Sequence, residues 1–338
     1  MTIINEKAYN ILENSIKKNS ISHFYILHGP NNVGKKNLAY LFSKLLLCEN
    51  QNSDITPCNT CSSCQKIDDQ KHFDVVFMDS KTPIEGIVEN KSDQIRLPHV
   101  QEINRLSNLG PFMSNYKIFI LDSAEKLNNE ASNAFLKLLE EPPKSSLFLF
   151  LVNDLSSIYP TILSRAQKIN ILEISKKEME LYISQKFDLD ELTINKITTF
   201  SHGKIEIAEK LSTDPSLIEN YYDSYDRFFE FCNSDLTNRM ELSQKFSSRY
   251  RTDRNAIYIE LNLWIDFCNI MLNNNYQKEN GLIFEKNLND MYEVKQINNI
   301  TLELIRTISN LKSNANPRLV FDVMSLKLPL HQKGNHAK

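Results

Sequence analysis

Short, uninterrupted apolar runs alternate with segments of helical period through the first half of the chain. Phe24–Leu27, Val75–Met78, Ile118–Leu121 and Leu147–Val152 each read as a strand. Between the second and third of these, Val100, Ile103 and Leu106 recur at helical spacing. Between the third and fourth, Ala131, Phe135, Leu138 and Leu139 do the same until Pro142 and Pro143 stop the helix. Strands apolar from end to end and separated by helices predict a parallel sheet covered on both faces. After about residue 172 the strand signal fades. Residues 175–213 read as short helices around Ser201, His202 and Gly203, and from about 216 the pattern is wholly helical. Ile257, Leu261, Trp264, Cys268 and Met271 form one apolar stripe, and Leu304, Ile308 and Leu311 another. Asn316 followed by Pro317 is a helix start, since Asn caps and Pro fits the first turn. The stretch Asn273–Lys278 reads as a loop, and the polar tail after Leu330 as a frayed end.

A chain of 338 residues is too long for one ordinary core. The pattern divides it into 1–172, 173–214 and 215–330, with a tail at 331–338. A formal net charge of -3 gives no broad basic field for nucleic acid or anionic lipid. Met1–Lys18 lacks the apolar centre of a signal peptide, and no run is long enough to span a bilayer, so a cytoplasmic protein without membrane contact is expected. Thiols there stay reduced, which turns clustered cysteines into candidate metal ligands. Cys48, Cys58, Cys61 and Cys64 are such a cluster, a module at 48–64 with two-residue gaps between its last three members. Four thiolates close a tetrahedral zinc site with no open position, which makes the site structural. Cys232 and Cys268 lie in apolar helical segments and read as small core residues.

Gly29 to Lys36 follows the first strand and precedes a helical segment, the context of a Walker A phosphate loop. Gly29 and Gly34 let backbone N–H groups wrap phosphates, and Lys35 reaches the outer ones. The next position calls for a Ser or Thr hydroxyl on Mg²⁺ and holds Lys36, a cation without an oxygen ligand. Asp122, at the end of the third strand, stands where a metal-binding carboxylate belongs. The residue after it is Ser123, which has no useful pKa for a general base, and Glu125 is expected to lie out of reach of that point.

In this order the motifs resemble the clamp-loader subunits of bacterial DNA polymerase III. The resemblance runs through His23–Pro30, the cysteine module after the first loop helix, Ile95–Leu97, Lys117–Ala124, Asn133–Pro143, Thr161–Arg165 and Asn316–Leu319. It implies an α/β P-loop AAA+ domain carrying a zinc-module insertion, then a small helical lid, then an all-α collar that mediates oligomerisation. Two branches compete. The gamma/tau motor needs intact ATP chemistry, whereas the delta-prime stator often has a degraded site. Lys36 and Ser123 stand where the motor has Thr and Glu. At the family's sensor 2 position the chain has Glu206 in place of Arg, with Lys204 nearby, and the sensor 1 position falls on Asn153. A carboxylate at 206 repels phosphate. These departures favour the delta-prime branch, with doubtful ATP binding and no ATPase of its own. A divergent gamma/tau-like ATPase is the alternative. Ser164-Arg165-Ala166 resembles the family's Ser-Arg-Cys motif, in which the Arg stabilises charge on a neighbouring subunit's γ-phosphate. Arg165 is therefore the expected trans arginine finger. The implied partners are gamma/tau and delta subunits, with the sliding clamp and primed DNA met through the assembled complex.

Overall fold

The computed structural model describes residues 5–50, 55–84, 93–277, 292–313 and 315–329. By contact it divides into two units, Met1–Lys186 with Gly203–Ile207, and Phe187–His202 with Ala208–Lys338.

The first unit begins with helix α1 (Glu6–Lys17), which the apolar pattern had not suggested. Strand β1 (Phe24–His28), helix α2 (Lys35–Leu47) and the short helix α3 (Ser62–Asp68) follow. Next come β2 (Val75–Met78), α4 (Leu97–Asn108), β3 (Lys117–Leu121), α5 (Asn129–Glu140) and β4 (Ser146–Val152). Helix α6 (Pro160–Leu163), strand β5 (Gln167–Asn170) and helix α7 (Lys176–Lys186) complete it. All pairings are parallel, in the order β2-β3-β4-β1-β5. The predicted parallel sheet, helices on both sides, is present.

Strand alternation explains why it needs two covers. Tyr25, Leu27, Ile118, Ile120, Leu147 and Leu149 pack on one face with Leu12, Leu38 and Phe42 of α1 and α2. Phe24, Ile26, Phe119, Leu121, Phe148 and Phe150 pack on the other with Val100, Ile103, Phe135 and Leu138 of α4 and α5. Successive side chains point to opposite faces, so a run apolar at every position requires helices on both. Because the strands run in one direction, the segments after β1, β3 and β4 leave from the same edge, where open α/β sheets place ligand crevices.

Helices α8 (Glu191–Ser201) and α9 (Ile205–Thr213) follow, α9 beginning in the segment assigned to the first unit. The rest of the second unit is α10 (Ser216–Asn233), α11 (Leu236–Thr252), α12 (Arg254–Gln277), α13 (Val294–Lys312) and α14 (Pro317–Lys327). Trp264 of α12 lies at its centre, its ring within 5.1–5.6 Å of Phe228, Phe231 and Phe246. The side chain of Asn316 caps α14 through the amide of Arg318, as its sequence position predicts. Arg239 is fully buried, yet it is not paired with a carboxylate among the described residues. Its guanidinium donates to the carbonyls of Phe231 and Cys232 near the end of α10, and to those of Leu328 and Pro329 just past α14. Both groups of acceptors are helix C-termini, whose partial negative charge suits a cation.

The stretch from Asn273, read as a loop, continues α12 as far as Gln277. A helix already nucleated on its buried stripe propagates through residues of modest propensity. Lys278 and the polar tail after Leu330 lie outside the described residues. No helix among the described residues is long and apolar enough to cross a membrane.

Candidate functional site

The loop between β1 and α2 has the backbone its glycines foretell. Gly29 has φ 152°, and a Cβ there would sit 1.9 Å from the carbonyl oxygen of Ile171. Gly34, with φ 91°, occupies the residue before α2. Asn32 is also left-handed, and its carbonyl accepts from the amide of Glu206 at 3.1 Å. Gly29, Gly34, Lys35, Asp122 and Glu206 thus belong to the same unit, with Lys35 electrostatically coupled to Asp122 and Glu206.

Lys35 is buried, and its ammonium donates to the carbonyls of Gly29 at 2.8 Å and Pro30 at 2.7 Å and to Oδ1 of Asn153 at 2.9 Å. An ammonium has three donors, so these acceptors match its full capacity. Asn153 passes the connection on, its Nδ2 donating to Glu125 at 2.6 Å. Burial lowers the pKa of Lys35, while the charges of Glu125, Glu206 and Asp122 pull it back upward. The lysine expected to grip phosphate is bonded to its own loop and faces three carboxylates.

Glu125 is brought beside Asn153, whose Oδ1 accepts from Lys35. Ser123 adopts a left-handed conformation, and Ala124–Lys126 form a single 3-10 turn directly after β3. This turn carries Glu125.

Lys36 turns away from the loop. Its ammonium lies 3.9 Å from the ring centroid of Phe77 on β2 and 5.9 Å from that of Tyr40, one turn along α2. The two rings stack 6.4 Å apart. Burial, then the charge of Asp122, pushes the Tyr40 phenol up to about 12. The position that offers a metal hydroxyl in a Walker loop instead supplies a cation held over aromatic faces.

The cysteine module lies at the far end of α2. Cys48 caps that helix, Cys61 begins α3, and Cys64 is inside its first turn. The sulfurs of Cys48, Cys58, Cys61 and Cys64 all lie within 4.8 Å of one another. Zinc–thiolate bonds of about 2.3 Å put tetrahedral sulfurs about 3.8 Å apart, so little contraction is needed. Backbone N–H groups of Cys58, Cys61 and Cys64 donate to the sulfurs of Cys48, Cys58 and Cys61, at 3.2–3.4 Å. Such bonds favour thiolate over thiol. The Cys58 thiol is lowered to about 6, chiefly by the amide of Thr60, whereas burial raises those of Cys64 and Cys48. The four residues fit one metal ion such as zinc. Cys232 and Cys268 are buried in the second unit, in keeping with a core role.

Arg165 follows α6 in the first unit and is one-third exposed. Its guanidinium donates to the Glu140 carboxylate at 2.5 Å and to the Thr161 carbonyl at 2.8 Å. Glu140 is the last residue of α5 and lies in the Asn133–Pro143 stretch that carries the resemblance, which assigned it no role.

A family model described as DNA polymerase III, delta subunit, matches residues 4–175. Among curated proteins, DNA polymerase III subunit tau of Bacillus subtilis is 30% identical over 202 residues, covering 60% of this chain and 33% of that one. DNA polymerase III subunit delta' of the same organism is 26% identical over 180 residues, covering 52% and 51%. The chain thus spans about a third to a half of the length of these relatives. Among solved structures, a DNA polymerase III gamma subunit-related protein from Thermotoga maritima aligns over 95% of this chain and 100% of that one, at 17% identity and TM-score 0.46.

Proposed function

The chain belongs to the DNA polymerase III delta subunit family, and from that premise we propose that it is a delta-prime-type subunit of the polymerase's clamp loader, a stator that does not hydrolyse ATP. The observation that carries this reading is the bonding of Lys35. Its ammonium is engaged by Gly29, Pro30 and Asn153, and it feels the charges of Glu125, Glu206 and Asp122. A triphosphate would have to break those bonds and enter a field of its own sign. Mg²⁺ would meet no hydroxyl at position 36, whose ammonium rests on Phe77. Asp122 alone is a poor metal site.

In this reading, residues 1–172 form an AAA+ domain, 173–214 its helical lid and 215–330 a collar. Cys48, Cys58, Cys61 and Cys64 hold a structural zinc ion that ties the end of α2 to α3. The partners are gamma/tau and delta subunits, and the assembled ring meets the sliding clamp and primed DNA. Arg165 is the part of the ATP chemistry that the chain keeps, offered to a neighbouring subunit's γ-phosphate.

A divergent gamma/tau-like motor is the second reading. The 30% identity with a tau subunit and the presence of Glu125 beside Asn153 favour it. One experiment separates the two. The purified chain with Mg-ATP should show no turnover, and a loader reconstituted with gamma/tau and delta should lose turnover by about 10³-fold when it carries Arg165→Ala. Hydrolysis by the isolated chain at a motor's rate, abolished by Lys35→Ala, establishes the motor reading. Unchanged turnover with Arg165→Ala removes the finger role.

A further inference from the structure

The contact between Arg165 and Glu140 joins two segments 25 residues apart in sequence. The segment bearing Arg165 is anchored against α5 at both ends. At its start, the Tyr159 hydroxyl donates to Oδ1 of Asn129, the first residue of α5. At its end, Arg165 reaches Glu140, the last residue of the same helix. Ile158, just before Tyr159, and Ile162, between the two anchors, are buried in the core cluster that contains Phe135 and Leu138 of α5.

Helix electrostatics alone does not account for Glu140. A carboxylate at a helix C-terminus opposes the macrodipole, and Glu141 adds a second beside it. The cation of Arg165 offsets that arrangement. The pair is solvent-exposed, with Arg165 at 33% and Glu140 at 52% side-chain exposure, so it adds little to stability. Its effect is geometric. Glu140 takes one hydrogen of Nη2, Thr161 takes one of Nη1, and Ser164 Oγ takes the other of Nη1 at 3.5 Å. A guanidinium has five N–H donors in a planar fork, so two remain to meet another anion while these contacts set the plane.

We propose that Glu140 is a positioning residue for Arg165, fixing the guanidinium plane so that its remaining donors meet a neighbouring subunit's terminal phosphate together. This rests on the reading of Arg165 as an arginine finger. Without Glu140 the side chain explores many rotamers, and each productive encounter must first select one. A small misplacement of a charge-stabilising group costs up to about 10²-fold in rate. The loss falls on turnover, because the finger acts on charge that develops during reaction, and ATP affinity of the neighbouring site is left alone.

The test uses the whole loader, reconstituted with gamma/tau and delta, and measures ATPase against ATP concentration for Arg165→Ala, Glu140→Ala, Glu140→Gln and the double alanine variant. Glu140→Ala should lower kcat by about tenfold with KM within about twofold of wild type, a fraction of the Arg165→Ala loss. Glu140→Gln should recover most of it, since the amide oxygen still accepts. The double variant should match Arg165→Ala alone, and the melting temperature of Glu140→Ala should equal that of wild type. If Arg165→Ala slows the loader and Glu140→Ala does not, the finger stands and the positioning role is overturned. If Glu140→Ala slows the Arg165→Ala loader further, Glu140 acts through something else and the proposal is overturned again. If Arg165→Ala has no effect, the finger reading falls and takes this one with it.

Discussion

Replacing Lys35 with Met distinguishes a lysine kept for phosphate from one wired into its own loop. Met preserves most of the side-chain volume and removes the charge. If the lysine waits for phosphate, removing a buried cation is neutral or stabilising until nucleotide is added. In the structure three acceptors depend on it, the carbonyls of Gly29 and Pro30 and Oδ1 of Asn153. Charge-assisted hydrogen bonds contribute about 1.5–3 kcal/mol each, and buried acceptors left dry cost about 1–3 kcal/mol. The relieved desolvation of the ammonium, visible in the lowered pKa of Lys35, offsets part of this. The expected net loss is about 2–4 kcal/mol, comparable to breaking a small buried network. For a unit of this size that is a fall of roughly 5–15 °C in melting temperature. Thermal unfolding followed by circular dichroism, without nucleotide, measures it directly. Repeating the scan with saturating Mg-ATP adds a control, since a ligand at a hundred times its Kd stabilises by about 2.7 kcal/mol. The wild-type curve should not move. A Lys35→Met protein that melts at or above the wild-type temperature, beside a wild type that Mg-ATP stabilises, refutes the wiring and restores a nucleotide site.

The cysteine module gives a further prediction: metal analysis of the purified chain should return about one zinc per molecule, and Cys58→Ser should return none, because a structural site needs all four ligands. The buried histidine of α4 sets a pH dependence. Nδ1 of His99 accepts from the amide of Arg96 at 3.2 Å, and burial, the largest influence, keeps its pKa below the ordinary 6.5. The unfolded chain therefore binds a proton that the folded chain resists, so stability is retained above pH 6.5 and falls as pH drops below it. Urea unfolding at pH about 7.5 and about 5.5 should show a smaller acid loss for His99→Asn than for wild type, and equal losses exclude His99 as a source.

β3 and β4 are buried at every position, and such runs leave no ambiguity of pattern, while β2, half-buried at three of its four positions, was legible from its apolar run alone. β5 was missed because only Ile169 of its four residues is buried, which leaves no period to detect. Helix α1 has Ala8, Tyr9 and Leu12 buried, too few apolar positions to stand out from a polar segment. The cysteine cluster was legible because its close spacing is local. The state of the loop after β1 was only half legible. Gly29, Gly34 and Lys36 are local signals, whereas the bond from Lys35 to Asn153 joins residues 118 apart. Sequence could say that position 36 lacked a hydroxyl. It could not say that Phe77 and Tyr40 would receive the cation, since that depends on β2 lying beside α2. The bond of Glu125 to Asn153 was not legible, since it joins residues 28 apart.

The buried guanidinium of Arg239 gives the second unit a common lock for segments far apart in sequence. One side chain holds the carbonyls of Phe231 and Cys232 in its left hand and those of Leu328 and Pro329 in its right. Peeling away the final helix would strand a positive charge in an apolar interior with half its acceptors gone. The last described turn of this chain, ordinarily the first place a helical domain frays, is thereby tied to the buried interior.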